Sequence, residues 1–216
     1  MIHCIGDSHA AVFSGEEVMQ PIWSAGQRSN DQTPYFRSYR IGAATAYQLS
    51  NKISTIINII ETSPINKETD KILFCFGEVD IRAHLLEQSS IQNKNIESIV
   101  KECVNRYFDV INYFKDLGYS VMVWGPIASW NQPKIYGGPS FGTNLERNNA
   151  TKIFNEYLES LCKNEDIEFL TIFYDMLLDN GETNPDSLDD WDGAHIHLSQ
   201  RMFPKVIEKF KNKNLI

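Results

Sequence analysis

The chain has 216 residues, 42% of them hydrophobic, and a formal net charge of −8. That is enough apolar material for one compact core, so a single domain over residues 1–216 is expected. The acidic balance argues against a phosphate-backbone partner, and no apolar run approaches the length needed to span a bilayer, so neither a nucleic-acid nor a membrane role is expected.

The first apolar run, Met1–Ile5, meets Asp7 almost at once and does not read as an export leader, which places the expected compartment in the cytoplasm. Cys4, Cys75, Cys103 and Cys162 are widely spaced and form no C-x-x-C pair, so buried free thiols are expected.

In chain order, Ile2–Gly6 reads as a first strand stopped by glycine. Tyr35–Ile41 alternates and is rich in aromatic residues, as a second strand would be. Residues Ala43–Glu61 read as a helix. Lys71–Phe76 is a continuous apolar run ended by Gly77, the pattern of a strand covered on both faces. From Asn95 to Leu117, apolar residues recur at intervals of three and four, and Gly118 stands where a helix ends. Tyr119–Trp124 is another strand, closed by Gly125-Pro126. Leu145–Leu161 is helical, Ile167–Ile172 a last strand, and Ser199–Phe210 a closing helix in which Pro204 marks either a kink or the true start. Strands alternating with long helices predict an α/β fold, a three-layer α/β/α arrangement around a parallel sheet of about five strands. Ligands of such sheets sit at the carboxyl ends of the strands.

The segments at those ends carry the candidate chemistry. Gly6-Asp7-Ser8-His9 follows the first strand, where free backbone N–H groups favour a developing oxyanion. By itself it could simply cap the next helix. Asp189-Asp190-Trp191-Asp192-Gly193-Ala194-His195-Ile196-His197 lies between the last strand and last helix and holds two of the five histidines. A histidine oriented by an aspartate serves as a general base. The long loop from Trp130 to Asn144 has the character of a substrate-binding or lid element. Trp124, Trp130 and Trp191 near the same face suit either sugar stacking or core packing.

Taken together, these segments resemble the SGNH or GDSL hydrolases, whose fold is of the same flavodoxin-like kind. The family has a serine in a GDS segment after the first strand, a glycine after the second, a GxND segment after the third and a DxxH segment before the last helix. Ser8, Gly42, Gly77-Glu78-Val79-Asp80 and Asp192-Gly193-Ala194-His195 occupy those places. The resemblance implies Ser8 as nucleophile, His195 as general base and Asp192 as its orienting acid, with the N–H groups of Ser8 and Gly42 binding the oxyanion. His197 is the alternative base, because His197-Leu198-Ser199 also looks like the usual entry into the last helix. Val79 replaces the asparagine that would donate to the oxyanion, and Arg82 is the candidate substitute. Glu78, Asp80 and Arg82 are expected to contact substrate. The implied activity is that of a serine esterase or O-acyltransferase working through an acyl-enzyme, with no cofactor, on a small ester or O-acylated carbohydrate.

Two other readings use the same residues. Asp7, His9, His195 and His197 could bind divalent ions in a metal-dependent phosphoesterase, although no Gly-Asn-His-Asp/Glu segment is present. Val79 also motivates a non-catalytic carbohydrate-binding protein on the same fold.

Overall fold

The computed structural model of the protein describes residues 1–15, 27–28, 31–42, 44–130, 134–135, 138–139, 141–189 and 196–216. Strand β1 (Ile2–Gly6) runs into a 3-10 helix, Ser8–Ser14, followed by β2 (Gln27–Arg28) and β3 (Phe36–Arg40). A 3-10 turn, Leu49–Lys52, leads into α1 (Ile53–Thr62), then β4 (Lys71–Cys75). Next come α2 (Glu78–Asp80), a π turn over Ile81–Leu85, α3 (Leu86–Gln92) and the long α4 (Ile96–Asp116). After β5 (Ser120–Trp124) a small hairpin pairs β6 (Lys134–Ile135) with β7 (Gly138–Pro139), and α5 (Asn144–Asn164), β8 (Glu168–Leu170) and α6 (Phe203–Asn212) complete the order.

The main sheet has the order β2-β3-β1-β4-β5-β8, in which β3, β1, β4, β5 and β8 are mutually parallel and the two-residue β2 is antiparallel on the edge. This is the predicted α/β architecture with its five parallel strands. Alternation along β4 divides its apolar run between two layers. Ile72 and Phe74 join the core under α1, α4 and α5, while Leu73 and Cys75 join the core under α6 and the first 3-10 helix. Trp124 belongs to that second core, its ring stacked on Phe210 with centroids 6.1 Å apart, so packing accounts for it. All four cysteines are buried and free.

Helix ends follow their sequence signals. Asn95 caps α4 by accepting from Ser98 N, and Gly118, at φ +85°, leaves the helix in the left-handed conformation. Thr143 and Glu146 close a reciprocal capping box on α5. Pro204 lies in the first turn of α6, where its missing N–H costs nothing, so it marks the start of the helix and does not kink it.

One predicted helix is shorter than expected. The run from Ala43 to Glu61 turns helical only at Leu49, because the backbone N–H groups of Ala46 and Tyr47 are held by the Asp80 carboxylate at 2.7 and 3.0 Å. A buried acid from another strand end outcompetes local helix formation there. Among the described residues, no helix is long and apolar enough to cross a membrane.

Candidate active site

Sheet register builds the site. Gly6 pairs with Arg40 on β3 and with Cys75 on β4. Ser8, Gly42 and Gly77 therefore each stand two residues beyond one row of the sheet, at the carboxyl ends of three adjacent strands. The row is tight: a Cβ on Gly6 would come within 2.6 Å of the Cys75 carbonyl oxygen. Gly42 adopts φ +93°, a conformation that side chains disfavour, as the chain turns away from β3.

Ser8 opens the 3-10 helix, and Asp7 caps it by accepting from His9 N at 2.8 Å. The capping and nucleophile readings of this tetrapeptide are thus compatible: Asp7 caps, and Ser8 faces out. Ser8 Oγ lies 2.9 Å from His197 Nε2, within hydrogen-bond distance across 189 residues of sequence. His197 is held by a short antiparallel pairing. Asp189 N donates to His197 O at 2.9 Å, His197 N donates to Asp189 Oδ1 at 3.2 Å, and Leu188 bridges Leu198. The same turn brings Asp189 Oδ2 to 3.6 Å from His197 Nδ1, an ion-pair separation longer than a formed hydrogen bond. Burial lowers the pKa of His197 and neighbouring His9 lowers it further, against the opposing pull of Asp189.

Asp192 and His195, the pair selected by D-x-x-H spacing, lie outside the described residues, as does Trp191. The structure brings Ser8 together with His197 and adds Asp189, which sequence reasoning quoted but gave no role. Its signal was available only as pairing across the intervening segment, which no residue pattern announces.

The residues expected to contact substrate are engaged within the protein. Glu78 is buried, with Oε1 accepting from Arg82 Nε at 2.8 Å and Oε2 lying 2.7 Å from His9 Nε2. Burial would raise the Glu78 pKa, but Arg82 and His9 overcome it and hold the carboxyl well below its usual range. Asp80 is also buried; its carboxylate anchors the 46–47 backbone and accepts from Cys103 Sγ at 3.5 Å. Glu78 and Asp80 also support the site: His9 and Arg82 flank one, and the loop carrying Gly42 rests on the other, while Asp80 lines a groove beside that loop. Arg82 is likewise buried against Glu78. Val79 is half-buried between them.

His9 is buried, and its ring packs against that of His197 with centroids 4.9 Å apart. Burial alone would lower its pKa; the Glu78 carboxylate, then Asp7, outweigh this and raise it. Asp7 keeps one oxygen, Oδ2, buried without a hydrogen-bond partner, and burial pushes its pKa up to about 6.

Arg147 lies near the start of α5, in the segment Glu146-Arg147-Asn148-Asn149 whose sequence reads as the opening of a helix. It is buried and donates to Ser129 Oγ and to the carbonyls of Trp130, Phe141 and Gly142 at 2.7–3.1 Å, tying down both ends of the long loop. Asn144, Asn148 and Thr183 extend this network to Ser129. A groove of about 520 Å³ opens beside the 45–48 segment, with Thr45, Tyr47, Gln48, His84 and Gln88 among its walls. Among the described residues, no group of three or more His, Cys, Asp or Glu side chains is placed to hold a metal ion.

No family model matches the chain, and no curated protein does. Solved structures do. A GDSL-like lipase from Bacteroides thetaiotaomicron superposes with a TM-score of 0.60 at 11% identity, covering 98% of this chain and 86% of its own. A carbohydrate acetylesterase from Sinorhizobium meliloti gives 0.56 at 15% identity, covering 100% and 99%. The aryl esterase of M. smegmatis gives 0.52 at 15% identity, covering 100% and 99%. The chain has the SGNH/GDSL hydrolase fold.

Proposed function

We propose that the protein is a serine-dependent esterase or O-acyltransferase in which Ser8 attacks an ester carbonyl and His197 takes its proton. The observation that carries this reading is the 2.9 Å separation of Ser8 Oγ and His197 Nε2. His197 Nε2 accepts the serine proton as Oγ bonds to the carbonyl carbon. The protonated ring then returns the proton to the departing alkoxide, which leaves an acyl-enzyme. Water or an acceptor hydroxyl, deprotonated by the same nitrogen, releases the acyl group. Asp189 is the acid that orients His197, in the role that D-x-x-H spacing gave to Asp192 for His195. The N–H groups of Ser8 and Gly42, on adjacent strand ends, receive the oxyanion.

For the substrate, we favour an O-acylated carbohydrate. The groove beside the 45–48 segment is walled by hydroxyl, amide, imidazole and phenol groups, by the carboxylates of Asp80 and Glu102, and by Leu85 and Ile99; its many polar groups suit a polyhydroxylated ligand. The carbohydrate acetylesterase among the similar structures points the same way.

The test is an organophosphonate probe followed by peptide mapping, with p-nitrophenyl acetate turnover measured alongside. Covalent label on Ser8, lost in Ser8→Ala and His197→Gln, is the expected result. A folded protein whose Ser8 stays unlabelled would overturn the serine mechanism. It would favour the non-catalytic carbohydrate-binding reading that Val79 motivates.

A further inference from the structure

Next to the Ser8–His197 pair lies a second imidazole that the proposed mechanism does not use. His9 follows the nucleophile directly, is buried, and has Glu78 and His197 as neighbours, with Arg82 behind Glu78. Its Nε2 lies 2.7 Å from Glu78 Oε2 at the start of α2. Glu78 in turn binds Arg82 Nε through both oxygens, at 2.8 and 3.1 Å, from the π turn. The other neighbour is His197, whose ring centroid is 4.9 Å away at a 42° tilt. Asp7 adds a carboxylate to the same turn. Arg147 of α5 acts on Glu78 from the far side, and Asp189 faces His197 from beyond.

We propose that His9 is a positioning residue for the general base, a buried cation that the Glu78–Arg82 pair holds in contact with His197. This rests on the serine reading of the site. A carboxylate this deeply buried needs positive partners, and Arg82 supplies one of them. His9 is another, in contact with Oε2, and keeps its proton for that reason. A fixed positive charge against His197 resists a second proton on that ring, so His197 stays a free base into mildly acidic solution. The same charge is carried by the residue that follows Ser8, and it favours the negative charge that develops on the attacked carbonyl, to which Val79 brings no donor. Glu78 is the largest influence that keeps His9 charged, while Arg82 first and His9 second keep Glu78 ionised.

The primary experiment needs no substrate. The imidazole signals of His197 are titrated by NMR in the full chain, in wild type, His9→Gln and Glu78→Gln. The His197 midpoint is expected to move up in His9→Gln, because the cation is gone. In Glu78→Gln, His9 loses the carboxylate that holds its proton, so the two rings should titrate in the same range with broadened, coupled curves. This second variant decides the matter if His9→Gln fails to fold. An unchanged His197 midpoint in a folded His9→Gln protein, or uncoupled titration in Glu78→Gln, overturns the proposal. Organophosphonate labelling supplies the kinetic readout: the rate in His9→Gln, relative to wild type, should fall several-fold further at about pH 5.5 than at about pH 8, because the acid limb moves up. A merely structural role would lower both equally. If wild-type Ser8 never labels, the serine reading fails, while the titration still reports on the His9–His197 coupling.

Discussion

Asp7→Asn should stabilise the protein at neutral pH. Asp7 spends one carboxylate oxygen on the helix cap, accepting from His9 N at 2.8 Å, and buries the other without a hydrogen-bond partner. Burial raises its pKa from 3.8 to about 6. A carboxyl whose folded pKa exceeds its unfolded value favours folding only while protonated. Stability is therefore lost as pH climbs from 3.8 through 6, and the loss is complete above that. At about 1.4 kcal/mol per unit, the full penalty is about 3 kcal/mol. Asparagine keeps an acceptor for His9 N and carries no charge. The expected gain is up to about 3 kcal/mol at pH 8, a rise in Tm of about 6–12 °C for a chain of this size, shrinking towards zero near pH 4. Thermal unfolding of both proteins across pH 4–8 measures it. A difference independent of pH, or a wild type that is the more stable at pH 8, would refute the reasoning. A gain in stability with a loss of turnover is the usual exchange at a functional position.

Two further substitutions probe the oxyanion side. Val79→Asn places an amide where the resemblance expects one, and a donor of that kind is worth about 10²-fold or more in turnover; p-nitrophenyl acetate kinetics should show kcat rising with KM little changed. No rise would place Val79 away from the reacting carbonyl. Asp80→Ala removes both acceptors of the Ala46 and Tyr47 N–H groups and frees the segment next to Gly42. Denaturant unfolding should show a loss of about 1–3 kcal/mol, chiefly from the buried Ala46 N–H left unpaired, with turnover falling more steeply than stability. Equal turnover in a destabilised but folded protein would separate Asp80 from the oxyanion loop.

The sheet was legible because its strands announce themselves by composition. Ile72–Cys75 and Val121–Trp124 are apolar without interruption, as strands covered on both faces are. Long helices were legible through period and caps, as at Asn95 and Gly118. The segment 44–48 was not, since what keeps it from being helical is a carboxylate more than thirty residues away. The proposed nucleophile could be read from its position after the first strand. Placing a histidine against Ser8 needs three-dimensional information: the contact that His197 makes with it spans nearly the whole chain. The Glu78–His9–Arg82 cluster was hidden for a related reason. Sequence shows that charged residues follow a strand, but whether they face substrate or one another depends on what covers them.

The row through Gly6, Arg40 and Cys75 acts as a common datum for the site. Three chain segments, distant in sequence, each count two residues from it to reach Ser8, Gly42 and Gly77. The loops beyond can lengthen or change without disturbing that count. A single residue deleted from β1, β3 or β4 on the datum side cannot, because the pleat would turn every following side chain to the opposite face. The same arithmetic gives an engineer a map: insertions placed beyond Gly42, or in the connection that Arg147 anchors, leave the reacting groups indexed, and insertions within the strands do not.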